Sequence, residues 1–243
     1  VWKLVADGDA DELFGFVASS LDVVVNGDRA YWGSENGLHC YPIAGSPELG
    51  CAGHILATPA PVVAIAMTAS RLHYATSSGA IGMLNLEQTN TPHVPPSAPG
   101  PPVGRLVANA EWLAWTHQLV GGVEYGLTTG TLGFSYEPCA LSLALSGDSL
   151  YFAHGTKLLL KDFASADEPG PVAAAPRPIG ELAFDAARQR ILWSDESGSL
   201  YALDPATGET SLLAQHQGPI GRIAPNAQGV YFLAGGALHF VQR

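Results

Sequence analysis

The stretch ILWSDESGSLYALDPATGET (191–210) alternates apolar and polar positions on either side of a Ser-Gly turn and ends in a Pro/Gly turn. Period-two alternation bounded by turn residues predicts two short antiparallel strands. The arrangement returns along the whole chain, in RAYWGSENG, RLHYATSSG, WLAWTHQLVGG, SLYFAHGTK, RILWSDESG and GVYFLAGGA. The aromatics Trp32, Tyr74, Trp115, Phe152, Trp193 and Phe232 stand 42, 41, 37, 41 and 39 residues apart. Counting on from Phe232 through the C-terminus and from Val1 to Trp32 gives 43, an interval of the same size. An apolar run precedes each aromatic strand: DVVV, VAIAM, GRLVA, LSLAL, GELAF and GRIA. A third strand follows each turn, and weaker fourth strands are expected in HILAT, VPPSA, LGFSY, PVAAA and SLLAQ.

Repeats of about 40 residues with four strands each predict propeller blades. The expectation is an all-β, six-bladed β-propeller with four-stranded antiparallel blades in a single domain. The blades fall at about 21–61, 62–102, 103–140, 141–178, 179–219 and 220–243, the last joined by 1–20. The sixth repeat has no fourth strand of its own, so WKLVA (2–6) is expected to supply it and close the ring. Proline in PHVPPSAPGPP and PGPVAAAPRP suits outer edge strands, where a lost donor does no harm. A linker between two domains is the competing reading of those stretches. The repeated aromatics are expected to wedge between blades, each burial contributing roughly 1.5–3 kcal/mol.

Composition narrows the partners. With 22 acidic against 11 basic residues and a net charge of −11, the chain offers no basic surface for a nucleic-acid backbone or an anionic membrane. It has no apolar run of about 18 residues, so no membrane-crossing helix is expected. It begins at Val1 rather than Met, which leaves open a removed leader or a larger parent. Cys40 and Cys51 sit in LHCYPIAGSPELGC, on what should be opposite arms of a strand-turn-strand. They are either a disulfide across that hairpin or two buried thiols. No CxxC or His-rich pairing with Cys139 suggests zinc.

The first strand of each blade should begin where the second ends, so two columns of residues would meet at one mouth. The first column holds Asp22, Ala64, Arg105, Ser142, Glu181 and Arg222. The second, two residues after each aromatic, holds Ser34, Thr76, His117, His154, Asp195 and Ala234. Four charged residues in one column need mutual compensation. They either form an ion-pair plug or a polar pocket in which Arg105 and Arg222 grip an anion while Asp22, Ser142 and Glu181 accept or share hydroxyl hydrogens. His117 or His154 beside Glu181 or Asp195 would suit a general base or a metal ligand, unless they are polar tips of exposed turns.

ILWSDESGSLYALD resembles the YWTD-type repeat of lipoprotein-receptor propellers, with LWSD in place of that tetrapeptide. With IGELAFDAARQRILW, it is also similar to strictosidine-synthase and gluconolactonase-type six-bladed propellers and to NHL repeats. LHCYPIAGSPELGC with ATPAPVVAIAMTASRLHYAT resembles secreted bacterial propellers. Close matching is confined to 179–210, and such motifs specify blades rather than an activity. A gluconolactonase-like enzyme would need a Glu/Asp/Asn set holding a divalent cation. Glu181, Asp22, Asn26, Asn109 and Asp195 qualify by type, but Asn26 and Asn109 end the first strands, and Arg105 and Arg222 would repel a cation. There is no GxSxG elbow, HExxH, phosphate loop or EF-hand spacing. The preferred reading is therefore a non-enzymatic, extracytoplasmic binding propeller without a cofactor, recognising a protein, peptide or glycan, with no nucleic acid and no membrane insertion. The alternative is a lactonase- or lyase-type enzyme at the mouth, using His117, His154, Glu181 and Asp195.

Overall fold

The computed structural model describes residues 2–4, 10–12, 22–26, 29–42, 53–86, 100–118, 121–128, 132–136 and 140–242. Every element among them is a β-strand. They divide into two compact units, Val1–Leu106 and Val107–Arg243.

In the first unit, a ribbon pairs β1 (Trp2–Leu4) with β2 (Ala10–Glu12). One four-stranded sheet runs β3 (Asp22–Asn26), β4 (Arg29–Ser34), β5 (Gly37–Pro42), β6 (Gly53–Ala57). The next has β7 (Val62–Met67), β8 (Arg71–Thr76) and β9 (Ile81–Asn85). The third sheet starts with β10 (Val103–Ala108), at the boundary, and continues in the second unit with β11 (Trp112–His117), β12 (Val123–Leu127) and β13 (Leu132–Tyr136). There follow β14 (Leu143–Ser146), β15 (Ser149–His154), β16 (Lys157–Asp162) and β17 (Gly170–Ala174), then β18 (Ile179–Asp185), β19 (Arg190–Asp195), β20 (Ser199–Leu203) and β21 (Thr210–Gln215). The last sheet is β22 (Ile220–Pro225), β23 (Val230–Ala234) and β24 (Ala237–Val241). Each is an antiparallel meander in chain order, because tight turns allow only neighbouring antiparallel strands.

HILAT, LGFSY, PVAAA and SLLAQ lie on β6, β13, β17 and β21, fourth in their sheets; VPPSA lies outside the described residues. Of WKLVA (2–6), expected to close the ring, Trp2–Leu4 pairs with Ala10–Glu12, residues 5–6 lie outside the described residues, and the β22–β24 sheet has three strands among the described ones.

The core lies between successive sheets. Tyr31, Leu38 and Cys40 of the first sheet pack with Val62, Ile65, Leu72 and Tyr74 of the second. In the second unit, Leu143, Leu150 and Phe152 pack on Ala114 and Val123, Ile191 and Trp193 on Tyr151 and Leu158, and Phe232 and Val230 on Leu192 and Leu200. All six repeated aromatics are buried. A glycine permits one close approach, since a Cβ on Gly33 of β4 would stand 2.6 Å from the Val62 carbonyl oxygen of β7.

Candidate functional site

The first strands of three sheets start with a β-bulge, seen as register shifts at Val62/Ala64, Ile179/Leu182 and Ile220/Ile223. A bulge leaves ladder groups unpaired, and their N–H groups need acceptors. Side chains of the expected mouth column supply two of them. In the first unit, Asp22 accepts from the Ile65 N–H through Oδ2 and from the Val23 N–H through Oδ1, both at 3.0 Å. In the second unit, the Ser142 hydroxyl accepts from the Leu182 N–H at 2.8 Å. Ile65 and Leu182 each follow the column position of their own sheet, so one inter-sheet contact is made twice with different side chains.

The remaining column members are joined by longer contacts. Ser142 Oγ donates to Glu181 Oε2 at 3.4 Å, and Arg222 Nη1 donates to Glu181 Oε1 at 3.5 Å. The Arg222 side chain is 48% exposed against 16% for Glu181. Ser194, absent from the expected site, accepts the Glu181 N–H at 3.1 Å and donates to the Ile220 carbonyl at 3.3 Å. Arg105 is half-buried and acts on Asp22 by charge. Burial raises the Asp22 carboxyl above its ordinary value, and the Ile65 N–H, Arg105 and the Val23 N–H offset this only in part.

The second column consists largely of turn closures. Ser34 donates to the Gly37 carbonyl and accepts from the Asn36 N–H; Thr76 donates to the Ala80 carbonyl. Asp195, 1% exposed, accepts from the Ser197 and Ser199 N–H groups and the Ser197 hydroxyl through Oδ1, and from the Tyr201 hydroxyl through Oδ2. Its turn needs Gly198, whose φ is 86°. His117 is buried beside Glu124, with Nε2 and Oε1 3.0 Å apart, while His154 is exposed at the start of its turn. Thus Glu181 meets Ser142 and Arg222, Asp195 meets its own turn, and His117 meets a carboxylate absent from both columns. Asn109 anchors a turn instead, its Oδ1 accepting from the Glu111 and Trp112 N–H groups. Asn26 ends β3.

Two features of the opposite strand ends escaped the sequence reading. Asp185, fully buried, accepts from Arg190 Nε at 3.0 Å and Arg188 Nη1 at 3.3 Å through one oxygen, and Arg188 donates onward to the Asn226 and Ala227 carbonyls. The spacing D-x-x-R-x-R in FDAARQR was the available signal. Likewise, Trp112 Nε1 donates to Asp148 Oδ1 at 2.9 Å and Asn109 Nδ2 to the Gly147 carbonyl at 2.8 Å. Cys40 is buried and disulfide-bonded; Cys51 lies outside the described residues. Among the described residues, no three His, Cys, Asp or Glu side chains are placed to hold a metal ion, and no helix is long and apolar enough to cross a membrane.

No protein-family model matches the chain, and no curated protein matches it. Solved structures do. The WD40 domain of Neurospora crassa Pan2 aligns over 91% of this chain and 74% of that one, at 12% identity and a TM-score of 0.74. A chain of a mitotic checkpoint complex aligns over 98% and 79%, at 16% identity and a TM-score of 0.75. A chain of a nidogen/laminin complex aligns over 83% of both, at 14% identity and a TM-score of 0.62. With the six antiparallel sheets among the described residues, these likenesses show a β-propeller fold.

Proposed function

We propose that the chain is a six-bladed, single-domain, non-enzymatic binding propeller of the extracytoplasmic space, whose partner is a protein presenting an anionic group to Arg222. The regular aromatic interval and the six sheets support the blade count. Two of the similar structures are of protein complexes, which supports a protein partner. The disulfide at Cys40 supports an oxidising compartment, where such bonds persist.

The observation that carries the ligand class is the Arg222 side chain. Its side chain is half exposed, and its Nη1 lies 3.5 Å from Glu181 Oε1, so a carboxylate directs the guanidinium at a solvent-accessible position. An incoming carboxylate or sulfate can form the shorter, two-pronged contact that this fork favours. Within the same unit, Ser142 and Arg222 both donate to Glu181, which ties the position of Arg222 to that carboxylate.

The test is titration with sulfate and with an acidic hexapeptide, read by calorimetry and by the melting temperature. Arg222→Ala is expected to weaken both ligands about tenfold or more, the usual worth of a charge-assisted hydrogen bond, while the variant keeps its melting temperature without ligand. Equal affinity in wild type and Arg222→Ala would remove the site.

A further inference from the structure

A second candidate site lies within the second unit, at the turns that join first strands to second strands. A cavity of about 300 Å³ is lined by Asn109, Ala110, Glu111, Trp112, Gly147 and Asp148. Its geometry is fixed by hydrogen bonds rather than left to loop motion. The Asn109 carboxamide ties its own turn through two N–H groups and reaches the Gly147 carbonyl of the next sheet. The Trp112 indole is held edge-on by Asp148 and packed against Phe163, ring centroids 4.0 Å apart. Phe163 in turn packs on Tyr125 at 4.8 Å.

The charges of the lining all have one sign. Glu111 and Asp148 are both exposed, and no basic side chain lines the cavity. Lys161, on β16 of the adjoining sheet, points its ammonium at the Ser165 and Asp167 carbonyls. The negative field extends beyond the cavity: after burial, the charge of Glu168 also raises the Tyr125 hydroxyl above its ordinary value. An indole ring flanked by two carboxylates attracts a cation on two counts, through the ring's quadrupole and through Coulomb attraction. An anion is repelled, and a neutral sugar gains only the ring.

We propose that the cavity walled by Trp112, Glu111 and Asp148 receives a protonated basic side chain, arginine or lysine, of a protein partner. The inference rests on the reading of the chain as a protein-binding propeller, but it uses a different cavity and the opposite charge from the Arg222 site.

The experiment follows the indole N–H resonance of Trp112, identified by its loss in Trp112→Phe, during titration with N-acetyl-arginine amide. N-acetyl-citrulline amide serves as the neutral isostere and methyl glucopyranoside as the sugar. A saturable shift with the arginine probe is expected, at least roughly fivefold weaker with the citrulline probe. Glu111→Gln, a change on an exposed turn that leaves the other resonances in place, is expected to weaken the arginine probe about three- to tenfold. Arg222→Ala should leave it unchanged. No saturable shift with arginine, an equal response to citrulline, or tighter binding of the sugar would each overturn the assignment. Because sulfate binding reads Arg222 and the arginine probe reads Trp112, loss of one result leaves the other standing.

Discussion

Histidine shows how burial decides a residue's chemistry. His73 lies on β8 with 2% exposure and no hydrogen-bond partner on Nε2. Burial, with Arg71 adding to it, pushes its imidazole down from 6.5 to about 4. The folded state therefore stays neutral where the unfolded chain already binds a proton. His73 adds its full share of stability above about pH 6.5 and loses it as the pH falls toward 4, by roughly 3 kcal/mol. Urea unfolding of wild type and His73→Leu at pH 7 and pH 4.5 tests this; the expected result is a smaller acid loss in the variant, and parallel losses would contradict it. Asp22 has the opposite sign: its carboxyl is raised, so its ionisation opposes folding, and its share of stability falls as the pH rises above the ordinary value of 3.8. Neither effect was legible in the sequence. His73 reads there as one more histidine in a strand, and only its burial in the folded chain makes protonation expensive.

Strands and their turns were the most legible level. Alternation around Trp193 and the turn residues of DESGS fixed β19 and β20, and the buried aromatic column followed from its spacing alone. The bulges at the starts of β7, β18 and β22 were not legible, because a single extra residue barely disturbs a period-two pattern. Just after those in β7 and β18, the Ile65 and Leu182 N–H groups reach Asp22 and Ser142 of the preceding sheets. The strand-turn joint at Asp185 was missed for a similar reason: an aspartate before a turn ordinarily caps it, and nothing local says that two arginines will bury it. That joint makes a clear prediction. Asp185→Ala leaves Arg188 and Arg190 without their buried counter-charge and should lower stability by about 3–5 kcal/mol, against about 1 kcal/mol for Arg188→Ala, whose side chain remains partly in solvent. Thermal unfolding of the two variants checks the order; equal losses would show that the carbonyl contacts of Arg188 carry the joint instead.

At the scale of the molecule, the apolar interior is divided among several seams between sheets. Cys40 is fully buried in the seam between the first two sheets of the first unit. Reducing its disulfide should lower stability by about 2–4 kcal/mol, read as a lower melting temperature in excess thiol reagent and reproduced by Cys40→Ser. An unchanged melting temperature would show that the seam holds without the bond, and would weaken the case for an oxidising compartment. The hydrogen bonds across the seams carry a different implication, for the interchangeability of the repeats. Asp22 and Ser142 each receive an N–H from the sheet that follows, whereas Ala64 and Arg105 at the same position have no acceptor to offer. The repeats are therefore not equivalent modules: a shuffled chain that set the second or third repeat before a bulged strand would bury an N–H without an acceptor, at about 1–3 kcal/mol per seam. Their order along the chain is written into which side chains can accept, so a gene duplicated or recombined at these boundaries inherits a directional constraint that their similar spacing conceals.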